Sequence, residues 1–121
     1  MAKRILITDD EQDIVKVVKY RLIKKGFEVI VAVNGQEGVD TARAVMPDLI
    51  LLDYRMPILN GDEVCRELKK DESTKHIPII LMTASIENIL IDNIRTMGAD
   101  DYILKPFEPE DLMEKIERLL A

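Results

Sequence analysis

Short apolar runs alternate with amphipathic stretches along the whole chain, and this alternation restricts the fold more than any other feature of its 121 residues. R-I-L-I-T, residues 4–8, reads as a buried strand, and Asp9 to Lys25 reads as a helix. Val15, Val18 and Leu22 fall on one helical stripe, widened by Ile14 and Val17. Gly26 stands where a helix terminus favours positive φ. E-V-I-V-A-V is a second strand, and Gly35 to Met46 a second helix with Val39, Ala42 and Val45 inward, stopped by Pro47. L-I-L-L, residues 49–52, is apolar without interruption, as suits a central strand covered on both faces. A helix over Gly61–Lys70 follows, with Val64 and Leu68 inward. Then come a strand over Ile77–Met82, a helix over Ile86–Met97 closed by Gly98, and a short strand Y-I-L at 102–104. The last helix, Pro109–Leu120, carries Leu112, Ile116 and Leu119 at helical spacing. A strand–helix unit repeated in this way predicts an α/β fold: a five-stranded parallel sheet with helices on both faces and right-handed crossovers. It accounts for residues 1–121 as a single domain, either standing alone or joined to an output domain outside this sequence.

Composition narrows the function. Lys and Arg total 17 against 23 Asp and Glu, a net charge of -6, so no basic face is expected for a nucleic-acid backbone and no direct nucleic-acid binding is predicted. The same balance suits a cation site or a basic partner. Cys65 is the only cysteine, which rules out an internal disulfide and a thiol metal site and leaves a small buried apolar residue. The first apolar run is far too short for a signal peptide or membrane span, so a cytoplasmic protein without membrane contact is expected. His76 follows a polar loop and reads as a surface residue.

The polar residues matter for where they fall. Asp9 and Asp10 come directly after the first strand, Asp53 after the third, Thr83 after the fourth and Lys105 after the fifth. Strands of a parallel sheet all point one way, so these five side chains gather at its carboxyl edge, where open α/β sheets bind ligands. Each has an ordinary explanation alone: a turn-forming or capping Asp, a capping Thr, a surface Lys. Together they form a constellation. Carboxylates held about 4 Å apart repel by several kcal/mol, and an all-oxygen donor set with no His or Cys calls for a hard cation such as Mg²⁺ rather than zinc. A hard cation, an ammonium and a hydroxyl around one carboxylate are what phosphoryl transfer to oxygen requires.

These residues stand in motifs that resemble a known family over essentially the whole chain: I-T-D-D-E, L-L-D-Y-R-M-P-I-L-N-G, M-T-A after the fourth strand, and D-Y-I-L-K-P-F. The chain is similar to receiver domains of two-component response regulators, chemotaxis regulators among them. The resemblance implies a doubly wound, flavodoxin-like sheet in strand order 2-1-3-4-5. It implies that Asp53 is the phosphoacceptor, taking its phosphoryl group from a phosphohistidine of a sensor kinase or phosphotransfer protein, and that Asp9, Asp10, Asp53 and the backbone carbonyl of Arg55 hold Mg²⁺, with Mn²⁺ an alternative. It implies further that Thr83 and Lys105 contact the phosphoryl group, that Thr83 and Tyr102 form the conformational switch, and that Lys105–Pro106 is a cis peptide. Such a protein is consumed stoichiometrically and is not a turnover enzyme. Asn60 replaces an Asp common before Gly61, and a turn tolerates either.

Partners follow from the same resemblance. Ile14, Val17, Tyr20, Pro106 and Phe107 form a candidate kinase-docking patch, although Ile14 and Val17 also suit the core. The fourth helix, fifth strand and fifth helix are expected to face a downstream effector, and the surplus of Ile86, Ile89, Leu90, Ile91 and Ile94 suits either such a surface or a deep core. Arg55 and Ser85 flank the path of attacking water, and Arg55 either reaches the acidic pocket and alters the lifetime of the acyl phosphate or faces solvent. Three rival readings remain. A flavin or nucleotide module would want a Gly-rich phosphate loop where Asp9, Asp10 and Glu11 stand. A haloacid-dehalogenase-like phosphatase would open on a D-x-D pattern, absent at the first strand. A degenerate receiver serving only as an interaction domain would not need Asp53, Thr83 and Lys105 intact.

Overall fold

The computed structural model describes residues 2–85 and 91–121, with residues 91–93 described by backbone alone. Five strands, β1 (Arg4–Thr8), β2 (Glu28–Ala32), β3 (Leu49–Asp53), β4 (Ile79–Thr83) and β5 (Asp101–Leu104), form one parallel sheet in the order β2-β1-β3-β4-β5. The helices are α1 (Gln12–Lys24), α2 (Gly35–Val45), α3 (Gly61–Lys70), α4 (Ile91–Met97) and α5 (Pro109–Leu120). The predicted doubly wound, flavodoxin-like α/β architecture is the one observed.

Strand alternation explains the two cores. Leu6, Ile50, Leu52, Ile79 and Leu81 point to one face, where Val39, Ala42, Val64 and Leu68 of α2 and α3 cover them. Ile5, Ile7, Leu49, Leu51, Ile80 and Met82 point to the other, under Val15, Val18 and Leu22 of α1 and Leu112 and Ile116 of α5. Every residue of β3 and β4 is buried, as an apolar run between two helical layers requires. Cys65 is fully buried within the first core. Burial pushes its thiol up to about 12, so it packs as an inert apolar group. His76 is exposed, as expected.

Several predicted boundaries shift for local reasons. The first helix begins at Gln12 rather than Asp9: the Asp9 N–H still donates to the Ala32 carbonyl across the sheet, and the Asp9 carboxylate accepts from the Glu11 N–H. β2 stops before Val33, which is exposed. α2 stops before Met46, whose φ of 53° ends the helix in the left-handed region. β4 starts at Ile79 because Pro78 cannot donate to the ladder, although Ile77 is buried ahead of it. Asp53 and Thr83 are the final residues of their strands rather than the residues beyond them. Val17 does not widen the apolar stripe of α1: it is 52% exposed, whereas Ile14 is half-buried. Val45 is half-buried. Of the apolar surplus of the fourth helix, Ile86, Ile89 and Leu90 and the side chain of Ile91 lie outside the described residues, and Ile94 is buried.

Candidate functional site

Register brings the chemistry to one edge. Thr8 pairs with Leu52, Asp53 with Met82, and Thr83 with Leu104, so β1, β3, β4 and β5 end at nearly one level. Asp9 and Asp10 follow β1, Asp53 ends β3, Thr83 ends β4 and Lys105 follows β5. One carboxylate oxygen from each of Asp9, Asp10 and Asp53 lies within 4.8 Å of the others, the one such acidic trio among the described residues. The donors are all oxygen, which fits a hard divalent cation and not a thiol- or imidazole-seeking one. Asp9 and Asp53 are buried and Asp10 is exposed, which leaves the trio open on one side.

Lys105 crosses this cluster. Its ammonium is 3.1 Å from Asp9 Oδ2, 3.1 Å from Asp53 Oδ1 and 2.9 Å from Glu11 Oε1. The side chain is only 8% exposed. Burial pulls Lys105 toward neutrality, but the Glu11 hydrogen bond and the charges of Asp53 and Asp9 outweigh it and hold its pKa above the ordinary lysine value. Asp53 shows the opposite balance. Burial, then the neighbouring Asp9 charge, raises it against the opposing pull of Lys105, and its pKa is pushed up to about 6. The cluster is thus over-supplied with negative charge even with Lys105 in place.

The loops around Asp53 are built to close tolerances. Asn60 Oδ1 accepts from the Met56 N–H and the Asn60 N–H donates to Glu63, which turns the chain from β3 into α3. Gly61 donates to the Tyr54 carbonyl at 2.7 Å, and a Cβ there would stand 2.6 Å from the Asp53 carbonyl oxygen. Only a residue without a side chain lets α3 start this close to the acidic cluster. Thr83 is buried; its hydroxyl donates to the Ser85 carbonyl at 3.1 Å and accepts from the Ser85 N–H at 3.3 Å. Asp10, Glu11, Asp53, Tyr54, Arg55, Thr83, Ala84 and Lys105 line one cleft. Asp10, Asp53, Arg55, Thr83 and Lys105 of the predicted site thus share this cleft, and Arg55, though exposed, has an interaction of its own within the fold.

A profile of the response regulator receiver domain matches residues 5–117. The chain belongs to the receiver domain family of two-component response regulators. It is 38% identical to the alkaline phosphatase synthesis transcriptional regulatory protein PhoP of Bacillus subtilis, covering 99% of this chain and 49% of that protein. The receiver spans about half the length of the curated relatives it matches. The chemotaxis response regulator CheY4 of Vibrio cholerae superposes with a TM-score of 0.91 at 30% identity, covering 99% of this chain and all of that one. The receiver domain of sensor histidine kinase PA1611 from Pseudomonas aeruginosa, solved with a magnesium ion coordinated in its active site cleft, superposes with a TM-score of 0.90 at 29% identity, over 99% and 98% of the two chains.

The remaining expected positions divide. Lys105–Pro106 is a cis peptide. Tyr102 is half-buried on the core face covered by α2 and α3, with Lys115 Nζ 6.0 Å from its ring centre. Ile14, Val17, Pro106 and Phe107 share one groove beside Lys105, whereas Tyr20 stands outside it, 60% exposed, with Lys24 over its ring. Glu11 went unassigned in the sequence. Its signal was its place directly after the acidic pair, but nothing in the spacing says that its side chain bends to Lys105 instead of capping α1. No helix among the described residues is long and apolar enough to cross a membrane.

Proposed function

We propose that this receiver takes a phosphoryl group onto Asp53 from a phosphohistidine of a sensor kinase or phosphotransfer protein, in a Mg²⁺-dependent reaction, and changes conformation to signal to a partner. The observation that carries the reading is the convergence of Asp9, Asp10 and Asp53 within 4.8 Å with the Lys105 ammonium at 3.1 Å from Asp53. Asp9, Asp10, Asp53 and the Arg55 backbone carbonyl would hold the cation, which offsets the surplus negative charge and draws electron density from the phosphoryl oxygens. Mn²⁺ is suited to the same oxygen donors. The Asp53 carboxylate oxygen forms a bond to phosphorus as the P–N bond breaks, and the imidazole nitrogen leaves with the electron pair. Lys105 and the Thr83 hydroxyl neutralise charge on the equatorial oxygens. Each protein molecule is consumed once per phosphoryl group, so the reaction is stoichiometric until the acyl phosphate hydrolyses.

For the switch, Thr83 gives up Ser85 for the phosphoryl oxygens and Tyr102 closes over the space released, biasing α4, β5 and α5 toward an effector-binding form. Ile14, Val17, Pro106 and Phe107 form the kinase-facing groove, with Tyr20 as an outlying contact. Arg55 lines the cleft and alters the lifetime of the acyl phosphate, so Arg55→Ala and wild type hydrolyse at different rates; equal rates would exclude that role. The domain acts in the cytoplasm as one unit over residues 1–121, through protein partners and without touching nucleic acid or membrane. The transcriptional role in the name of PhoP belongs to the whole of that protein, of which this chain matches 49%. The decisive test is incubation with acetyl phosphate, with and without Mg²⁺, read by intact mass. One phosphoryl gained with Mg²⁺ and lost in Asp53→Asn is the expected result; no gain, or a gain that survives Asp53→Asn, refutes the assignment.

A further inference from the structure

We propose that Glu11 is a positioning residue that competes with the incoming phosphoryl group for Lys105 and so holds back modification of Asp53; this rests on the reading of the site given above. An ammonium has three N–H donors. In this structure all three have a carboxylate partner: Asp9 at 3.1 Å, Asp53 at 3.1 Å and Glu11 at 2.9 Å. A phosphoryl oxygen reaches Lys105 only by displacing one of them. Asp9 and Asp53 belong to the trio whose charge a bound cation offsets, so their hold on Lys105 weakens when the site is loaded. Glu11 lies outside that trio.

Local geometry shows that the contact is not incidental to helix capping. Glu11 is the N-cap of α1, yet its side chain makes no capping hydrogen bond. Its N–H is taken by Asp9 Oδ1 at 2.9 Å and its carbonyl by the Val15 N–H at 3.1 Å, which fixes its backbone, and its carboxylate accepts from Lys105. The pairing is between an exposed carboxylate, 56% accessible, and a lysine that is nearly buried. Glu11 therefore stands at the mouth of the cleft, on the approach of an anionic donor, and holds the cation that donor must reach. A half-exposed ion pair of this kind is weak enough to exchange, which makes it a brake rather than a block.

The test compares wild type, Glu11→Gln and Glu11→Asp with acetyl phosphate and Mg²⁺, scoring phosphoryl gain by intact mass. Acetate leaves with the electron pair as the Asp53–phosphorus bond forms. Affinity for beryllofluoride, a phosphoryl mimic, is measured in parallel by isothermal titration. Glu11→Gln removes the charge; Glu11→Asp keeps the charge but shortens the reach and returns a good N-cap to α1. Both variants are expected to gain phosphoryl about two- to fivefold faster and to bind beryllofluoride more tightly by a similar factor. Loss of a merely structural contact would not tighten binding of the mimic. If Glu11→Asp matches wild type while Glu11→Gln is faster, long-range repulsion alone acts and the competition for Lys105 is refuted. If both variants match or fall below a wild type that does become modified, Glu11 has no restraining role. A wild type that gains no phosphoryl overturns the site reading, and the role of Glu11 with it.

Discussion

Replacing Asp53 with Asn should stabilise the metal-free protein, and the structure sets the size of the effect. The carboxyl group ordinarily ionises near 3.8, and in the fold it is pushed up to about 6, by burial first and by Asp9 second. Between those two values the unfolded chain has released the Asp53 proton and the folded chain has kept it. Fewer protons are bound unfolded than folded, so stability falls as pH rises across this window and levels off above it. A shift from 3.8 to about 6 corresponds to about 3 kcal/mol at pH 7.5, at 1.36 kcal/mol per pKa unit. Asn has nearly the shape of the protonated acid and retains an oxygen for Lys105, so the variant escapes this cost. Urea unfolding in chelator should therefore find Asp53→Asn more stable at pH 7.5 by up to about 3 kcal/mol, or about 10 °C in Tm for a domain of this size. At pH 3.5 the two proteins should nearly coincide, because Asp53 is neutral in the folded state and mostly protonated in the unfolded one. Added Mg²⁺ should stabilise wild type more than the variant and narrow the gap. A variant no more stable than wild type at pH 7.5, or a gap that does not change with pH, would refute the claim that Asp53 carries uncompensated charge.

Three further outcomes are expected. Lys105→Met should lower the rate of phosphoryl gain from acetyl phosphate on the order of 10²–10³-fold, since it removes a donor aimed at the developing charge; an unchanged rate would exclude Lys105 from the chemistry. Gly61→Ala should cost about 1–3 kcal/mol in urea unfolding and slow phosphoryl gain, because its Cβ meets the Asp53 carbonyl at 2.6 Å and must push β3 and α3 apart. Lys69→Met should cost about 1–3 kcal/mol in urea unfolding, because the Lys69 ammonium donates to the carbonyls of Lys75 and Ile77 and to Asp100, which in turn accepts from the Ile79 N–H; a smaller loss would mean that water replaces these donors.

The fold was legible because its information is periodic. L-I-L-L read as a doubly covered strand, and all four residues are buried. The site was legible because strand ends in a parallel sheet are forced to one edge, so the positions of Asp9, Asp53, Thr83 and Lys105 follow from the strand assignment. What resisted was set by local competition. Asp9 looked like the start of a helix, but its N–H stays with Ala32 across the sheet. Val17 fits an apolar stripe by spacing, yet it lies on the open side of α1, toward the groove shared with Phe107. The Glu11 contact with Lys105 depends on side-chain torsions that no spacing encodes.

β5 lies at the margin of the sheet, with ladder pairing to β4 only, and it is the shortest of the five strands. Its far end is tethered to the middle of the molecule by one lysine gripping an acid that follows β1 and another that ends β3. On the proposed reading, a change of charge at Asp53 alters the pull on that tether. Tyr102 rides on the same strand. On the proposed reading, charge arriving at Asp53 would be felt at the rim of the sheet through Lys105 as well as through Thr83 and Tyr102.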